Sequence, residues 1–234
     1  MRILAVGAHP DDIEFLCAGT LMKFRSRGDE IFTAVLCNGD KGHYEIGPEE
    51  LACIRRLEAE EAAKSEGATL VSFGLFPDLE VYADSQSRRK VVEIVRQAKP
   101  DLILTHYPDD YMCDHSTTGR LVIDASFVAS LPNYRTESPH TKSIPLIYFM
   151  DAMAAVNFQP TDYVDISELI NEKGKALRCH QSQYRWLLDH DGIDYIDFMK
   201  QHSAFRGVQC GVKYAEAFQR YAVWGRIKPG CSLP

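Results

Sequence analysis

The sequence predicts an α/β protein with a Rossmann-like, mostly parallel sheet and helices on both faces. Short apolar runs of strand length alternate with longer stretches whose apolar residues recur at helical spacing. Strands that are apolar on both faces are typical of a parallel sheet covered on both sides by helices. Ligands of such sheets bind beyond the carboxyl ends of the strands, which here are followed by the loops 8–12, 38–48 and 106–115.

The alternation is clearest in the first half of the chain. Apolar runs predict strands at residues 2–7, 31–37, 69–74 and 101–105. Helical spacing predicts the intervening helices at residues 13–27, 49–66 and 85–98. Gly28, Gly67 and Pro100 end these helices. Pro48 begins the second one, because proline fits the first turn of a helix.

The second half has weaker patterns. Helices are predicted at residues 116–131, 167–188 and 193–205, and strands at residues 144–150 and 162–166. Residues 218–226 either close the sheet or lie over it. No linker or internal repeat divides the chain, so a single domain over residues 1–234 is expected.

Composition and charge argue against two kinds of partner. The formal net charge of −7 does not suit nucleic-acid binding, which needs clustered lysine and arginine. No apolar stretch reaches the ~18 residues of a membrane span. The seven cysteines are irregularly spaced and form no C-x-x-C pair, which favours free thiols in a reducing compartment. The apolar run at the N-terminus is too short for a signal peptide, so a cytoplasmic protein is expected.

The loop after the first strand carries the first cluster of reactive side chains. Residues 8–14 read A-H-P-D-D-I-E. His9 and Asp12 are three positions apart across a proline-containing turn, so both could bind one zinc ion that keeps a position open for water. Asp11 lies between them and could accept a proton from that water. Alternatively, Asp11 and Asp12 only cap the following helix, since aspartate is a favoured N-cap residue.

A second cluster follows the fourth strand. Residues 105–115 read T-H-Y-P-D-D-Y-M-C-D-H, which includes His106, Asp114 and His115. In a parallel sheet this loop lies near the first one, and His115 is the natural third ligand of a site with two histidines and one aspartate. A single histidine in a loop could be structural. Two His/Asp clusters at matching strand ends favour a metal site.

The A-H-P-D-D-x-E segment at residues 8–14 resembles the signature of the LmbE-like, or PIG-L, family of N-acetylglucosaminyl deacetylases. Three further segments and one pair are similar to that family: N-G-D-K-G at 38–42, R-R-L-E at 55–58, Asp114–His115 and H-Q-S-Q at 180–183. The resemblance covers most of the chain. It implies the LmbE-like deacetylase fold and a zinc-dependent hydrolase that removes an acetyl or other acyl group from an N-acetylglucosamine-like amino sugar or its conjugate.

The resemblance also implies roles for individual residues. It places Zn²⁺ on His9, Asp12 and His115, with Asp11 as the general base. Substrate contacts are expected from Arg55, Asp40 and His180, although Arg55 could equally be an exposed helix residue. Asp114 could orient His115 or a neighbouring acid group. Members of the family often assemble, so a homo-oligomer is implied.

One position departs from the family pattern. Many members carry a histidine three residues before the final ligand, where it helps to stabilise the oxyanion or to protonate the leaving amine. This sequence has Met112 there, which can do neither. Either His106 or His180 replaces that histidine, or the substrate differs, or activity is reduced.

Several other functions follow from this departure or compete with the deacetylase. The protein could be an amidase on a thiol-sugar conjugate or another small amide, or a carbohydrate- or metal-binding protein without activity. A nucleotide-dependent oxidoreductase is disfavoured because no G-x-G-x-x-G follows the first strand. A serine hydrolase is disfavoured because no G-x-S-x-G occurs.

Overall fold

The computed structural model describes residues 1–226 and residue 233. Within these residues, seven strands form one sheet in the order β3-β2-β1-β4-β5-β7-β6. The strands are β1 Arg2–Gly7, β2 Glu30–Cys37, β3 Thr69–Phe76, β4 Leu102–Thr105, β5 Leu146–Met150, β6 Asp162–Asp165 and β7 Ala215–Arg220. The first five pair in parallel, and β7 runs antiparallel to both β5 and β6.

Helices cover both faces of the sheet. They are α1 Asp12–Leu16, α2 Ala18–Ser26, α3 Pro48–Glu66, α4 Ser85–Ala98, α5 Cys113–Val128, α6 Ile170–Arg178, α7 Gln181–Asp191 and α8 Tyr195–Cys210. Because successive strand residues point to opposite faces, Ile3 packs with Phe15 in one core, whereas Leu4 packs with Val91 and Leu121 in the other. The predicted fold class is confirmed.

Two predicted helices are each divided into two. The helix predicted at 13–27 breaks at Cys17, whose φ of −145° is not helical. The helix predicted at 167–188 breaks before α7 at His180, whose ψ of 65° is not helical. His180 is buried and its Nε2 lies 3.0 Å from Glu14 Oε2, so a tertiary contact overrides the local periodicity.

Two other boundary differences affect the site and the sheet. Helix α5 begins at Cys113 rather than at 116, so Asp114 and His115 lie on its first turn. Strand β7 ends at Arg220 and overlaps the predicted segment 218–226 by three residues only. It lies inside the sheet, between β5 and β6.

The remaining sequence expectations concern cysteines and membranes. Among the residues that the structure describes, the cysteines are free thiols: Cys17, Cys37, Cys53, Cys113, Cys179 and Cys210. Cys231 lies outside the described residues. No helix within the described part is long and apolar enough to cross a membrane.

The strand order places two loops together. Strands β1 and β4 are parallel neighbours, with Val6 opposite Thr105 near their carboxyl ends. Strand β2 lies on one side of β1 and β4 lies on the other, so the strand order reverses at β1. The loops after β1 and β4 therefore meet at the position where open α/β sheets bind ligands.

Candidate active site

The loop after β1 has an unusual backbone at Asp11. Its φ of 107° is in the left-handed region, which costs a non-glycine residue on the order of 1–3 kcal/mol and is concentrated at functional sites. The Asp11 side chain makes no capping hydrogen bond to α1. The Asp12 carboxylate accepts the backbone N–H of His9 at 2.6 Å. The alternative in which these aspartates only cap the helix is therefore wrong for Asp11.

The structure brings His9, Asp12 and His115 together. One ligand atom from each lies within 4.8 Å of the others. Asp12 Oδ2 is 3.6 Å from His9 Nδ1, and Asp12 Oδ1 is 3.2 Å from His115 Nε2. These two nitrogens and the carboxylate face one another across the junction of the two loops.

Each of the two imidazoles has a second carboxylate on its other nitrogen. Asp114 Oδ2 lies 3.0 Å from His9 Nε2, and Asp110 Oδ2 lies 3.3 Å from His115 Nδ1. Carboxylates in this position orient metal-binding histidines and fix their tautomer. The pairing leaves His9 Nδ1 and His115 Nε2 directed at Asp12.

The three side chains fit a divalent cation. His115 Nε2 is buried and makes no hydrogen bond within the described residues. This nitrogen, the Asp12 carboxylate and the His9 imidazole together form the donor set of a zinc site. The triples His9–Cys37–Asp114 and His106–Asp110–His115 are also close enough to bind an ion. Of the three groups, only His9, Asp12 and His115 all line the cavity described below.

The electrostatics of the cluster favour positive charge. Burial acts to lower the pKa of His115, but Asp12 and Asp110 outweigh it and raise that pKa to about 9. Burial acts to raise the pKa of Asp12, but His115 and His106 hold it well below its ordinary value. The carboxylates here stabilise protons on the imidazoles. A cation bound at the same position would take the place of those protons.

Asp11 is in a different electrostatic state from Asp12. Burial raises the pKa of Asp11 to about 7, and the adjacent charge of Asp12 adds to that effect. Asp11 also lines the cavity. A carboxyl group with a pKa near neutral can both take and return a proton.

His9, Asp11, Asp12 and His115 line a cavity of about 420 Å³. Its lining includes the polar side chains of Arg55, Asp78 and Gln183. Its apolar lining is formed by Met112, Met153, Leu187, Ile193 and Phe198. Met112 thus lies in the cavity wall.

Arg55 is a buried cavity residue rather than an exposed helix arginine. It is 4% exposed and donates to the Gly42 carbonyl at 3.1 Å and to Gln183 Oε1. Gly39 has a φ of +74°, and a Cβ there would lie 2.3 Å from Arg55 Cδ. The glycine after β2 therefore leaves room for the arginine side chain.

Four residues predicted in the site do not line the cavity, and one of them, Asp114, contacts His9 Nε2 as described above. His106 is buried behind Asp12, 3.0 Å from its Oδ2, and stacks on His115 with ring centroids 3.9 Å apart. Asp40 accepts the backbone N–H of Asp78 at 2.9 Å. His180 pairs with Glu14 of α1. From these places His106 and His180 support site residues, and Asp40 joins two loops.

Four site residues were missing from the sequence prediction. Asp110 and Gln183 lie in segments that the motifs had marked, but nothing assigned them a role. Asp78 lines the cavity and accepts the Gly39 N–H at 2.9 Å. Tyr195, at the start of α8, interacts with the Asp11 carboxyl group, and burial raises the pKa of its phenol well above the ordinary value. The phenol is therefore a hydrogen-bond donor.

The chain is similar to proteins named as sugar deacetylases and to one named as a hydratase. The family described as PIG-L, GlcNAc-PI de-N-acetylase, matches residues 4–126. The chain is 28% identical over 235 residues to the diacetylchitobiose deacetylase of Thermococcus kodakarensis, which covers 93% of this chain and 82% of that protein. It is 26% identical over 191 residues to a probable N-acetyl-alpha-D-glucosaminyl L-malate deacetylase 2 of Bacillus anthracis, covering 78% and 81%.

A third relative carries out a different reaction. The chain is 23% identical over 189 residues to the 4-oxalmesaconate hydratase of Pseudomonas putida, covering 77% of this chain and 73% of that protein. Among solved structures, the N,N′-diacetylchitobiose deacetylase from Pyrococcus horikoshii superimposes with a TM-score of 0.82 at 27% identity. That match covers 93% of this chain and 82% of the Pyrococcus chain.

Proposed function

This chain belongs to the PIG-L family, and we propose that it is a zinc-dependent deacetylase of an N-acetyl amino sugar or its conjugate. The observation that carries the proposal is the group His9, Asp12 and His115 in the wall of a cavity that Asp11 also lines. Sequence relatives named as deacetylases of diacetylchitobiose and of an N-acetylglucosaminyl malate support the choice of an N-acetyl amino sugar.

His9 Nδ1, Asp12 and His115 Nε2 would hold the cation. Two imidazole nitrogens with one carboxylate suit zinc and leave a position open for substrate. A zinc ion held there would polarise the acyl carbonyl group and make a nearby water molecule easier to deprotonate. Asp114 and Asp110 keep the two imidazoles oriented through their other nitrogens.

Asp11 performs both proton transfers in the proposed reaction. It takes a proton from the water molecule as the water oxygen attacks the acyl carbon. It then gives that proton to the amide nitrogen as the C–N bond breaks, so the products are a free amine and a carboxylic acid. A pKa of about 7 suits a group that must act as base and then as acid. This double role removes the need for a histidine at Met112.

Two cavity residues position these partners. Tyr195 interacts with the Asp11 carboxyl group and would orient it towards the water molecule. Arg55 presents a fixed cation at the wall of the cavity, where the sugar hydroxyl groups would lie. Its planar guanidinium group offers several donors in a fixed geometry.

Hydration of a carbon–carbon double bond is the second candidate function. The relative named as a hydratase and the position of Met112 in the cavity wall favour it. Water addition to a double bond releases no amine, so a wall residue that cannot donate a proton to nitrogen is compatible with it. An amidase of a thiol-sugar conjugate uses the same chemistry as the deacetylase on another substrate.

The deciding experiment measures acetate and primary amine released by zinc-loaded protein from N-acetylglucosamine, N,N′-diacetylchitobiose and an N-acetylated thiol-sugar conjugate. We expect equal amounts of both products from at least one of them. Asp11→Asn should lose at least about 100-fold in rate while it retains zinc. Hydration of an unsaturated dicarboxylate without any acetate release would replace the deacetylase with the hydratase.

A further inference from the structure

A cluster of four aromatic rings lies beside the catalytic cavity. We call it the aromatic platform, and its members are His43, Tyr44, Trp186 and His190. The loop after β2 contributes two rings and helix α7 the other two. Three of them, His43, Tyr44 and Trp186, line a second cavity of about 410 Å³. The Tyr44 side chain is exposed.

The rings of the platform contact one another in a fixed pattern. Tyr44 is 5.1 Å from Trp186 and 5.3 Å from His190, measured between ring centroids. Trp186 and His190 are 4.0 Å apart. His43 is stacked on Tyr44, with an angle of 14° between the ring planes. Even so, Tyr44 remains 58% exposed, so a large aromatic surface is left open to solvent.

Hydrogen bonds within the protein hold both parts of the platform in place. His43 Nδ1 accepts the backbone N–H groups of Glu45 and Ile46, each at 3.1 Å. These bonds fix the ring and leave its Nε2 as a donor. On the other side, the Glu58 carboxylate accepts both the N–H and the hydroxyl group of Ser182, at 2.7 and 2.6 Å. This contact ties α7 to α3.

The platform continues directly from the catalytic cavity. In three pairs of chain neighbours, the first residue lines the catalytic cavity and the second lines the platform cavity. These pairs are Gly42 and His43, Gln183 and Ser182, and Leu187 and Trp186. Arg55 and Glu58, one turn apart on α3, line the catalytic cavity and the platform cavity respectively. The wall of the catalytic cavity thus continues onto the aromatic surface.

We propose that the aromatic platform binds a second pyranose ring of the substrate, joined to the N-acyl sugar whose amide is cleaved. This inference rests on the proposed function. A pyranose has an apolar C–H face and a rim of hydroxyl groups. Tyrosine and tryptophan offer matching surfaces, since each combines a flat apolar body with a polar end. Arg185, Glu45 and Asp189 line the same cavity and supply partners for the hydroxyl groups.

The first test compares three substrates: N-acetylglucosamine, N,N′-diacetylchitobiose and an N-acetylglucosamine glycoside with a short alkyl aglycone. Trp186→Ala should lower kcat/KM for the disaccharide by about 10-fold, the size expected for loss of one aromatic contact. Its kcat/KM for the other two substrates should change less than twofold. Tyr44→Ala provides a second variant with the same expectation. An equal decrease for all three substrates, or no decrease for any, would overturn the inference.

The second test does not require turnover. The chain has two tryptophans, so Trp224→Phe leaves Trp186 as the only one. Trp224 is 97% exposed in the segment after β7. Diacetylchitobiose, added to the Trp224→Phe protein that also carries Asp11→Asn, should change the fluorescence of Trp186, and N-acetylglucosamine should not.

The fluorescence result separates the two proposals. A disaccharide-specific response in a protein that deacetylates no sugar would support the platform and refute the proposed reaction. Deacetylation of the disaccharide without any response of Trp186 would refute the platform and leave the reaction standing.

Discussion

The Asp114 carboxylate lies 3.0 Å from Nε2 of His9, on the other loop, and not against its chain neighbour His115. It also accepts the backbone N–H of Leu79 at 2.7 Å, which fixes its position. Burial alone would raise the pKa of Asp114, but the hydrogen bond from His9 and that from Leu79 hold it below its ordinary value. Asp114 therefore positions a metal-binding imidazole as an ionised carboxylate.

Asp114→Ala should weaken zinc binding by about 10- to 100-fold, the usual cost of removing a carboxylate that orients a ligand histidine. Titration against a chromophoric chelator measures the affinity, and circular dichroism checks the fold. Asp109→Ala is the matched control, because Asp109 lies in the same loop with a side chain that is 72% exposed. Unchanged zinc affinity in Asp114→Ala would remove this residue from the site.

The sequence predicted the loops of the site better than the role of each residue. Parallel strands had to bring the loops after β1 and β4 together, so His9, Asp12 and His115 could be selected before any coordinates. The contact between Asp114 and His9 could not be predicted, because the start of α5 determines which way the Asp114 side chain points. The role of Tyr195 could not be predicted either, since Tyr195 reaches Asp11 only through the packing of α8.

Arg55→Ala should raise KM for the amino sugar by about 10-fold or more and change kcat less. A hydrogen bond to a charged group contributes about 1.5–3 kcal/mol. Arg55 is expected to make this bond to the substrate both in the bound complex and in the transition state, so its loss raises KM more than it lowers kcat. Steady-state kinetics of amine release measure both constants. Arg56→Ala is the control, because the Arg56 side chain is 65% exposed and pairs with Glu60. Equal changes in the two variants would contradict a substrate role for Arg55.

Two helical glycines should respond in opposite ways to alanine. A Cβ at Gly119 of α5 would lie 2.4 Å from the backbone oxygen of His106, so Gly119→Ala must displace the loop that carries the site. We expect a loss of about 1–3 kcal/mol in the free energy of unfolding. At Gly174 of α6 the nearest atom is 3.5 Å away, so Gly174→Ala should be neutral or gain up to about 1 kcal/mol. Urea unfolding distinguishes the two; a stable Gly119→Ala protein would show that α5 can move freely.

The elements that the sequence located well are those whose own residues determine them. Strands β1, β2 and β4 are continuous apolar runs, and α3 lies between Pro48 and Gly67, which mark its ends in the sequence. The break between α6 and α7 has no comparable local signal. It depends on the burial of His180 against Glu14, a residue of α1. The predicted homo-oligomer and cytoplasmic location remain predictions.

A buried ion pair between α6 and β7 predicts the effect of removing one charge. Lys173 Nζ lies 2.5 Å from Glu216 Oε1, and both side chains are 1% exposed. Glu216 also accepts the N–H groups of Gly19 and Thr20 at the start of α2. Lys173→Met would leave the buried Glu216 carboxylate without a cation, so the free energy of unfolding should fall by about 3–5 kcal/mol.

Lys175→Met is the control for this prediction. Lys175 lies on the same helix with a side chain that is 78% exposed, and its replacement should change stability by less than about 0.5 kcal/mol. Urea unfolding monitored by circular dichroism measures both variants. If Lys173→Met were as stable as the control, the ion pair would make no net contribution.

The carboxyl group of Glu66 predicts a pH dependence of stability. It is 1% exposed, and neither of its oxygens has a hydrogen-bond partner among the described residues. Burial raises the pKa of Glu66 well above its ordinary value, the charges of Glu14 and Glu216 add to this, and Lys173 opposes it. Glu66 therefore takes up a proton when the protein folds at neutral pH.

The sign of the dependence follows from that proton. The contribution of Glu66 is fully present below its unfolded pKa of about 4.3. It decreases as pH rises towards the folded pKa, by up to about 1.4 kcal/mol per pH unit. Glu66→Gln removes the titrating group, so its free energy of unfolding should rise relative to the wild type by at least about 1 kcal/mol between pH 5 and pH 7. Glu61→Gln, an exposed position on the same helix, should show no such change. Urea unfolding at the two pH values measures the difference, and parallel curves for Glu66→Gln and the wild type would mean that Glu66 is charged in the folded protein.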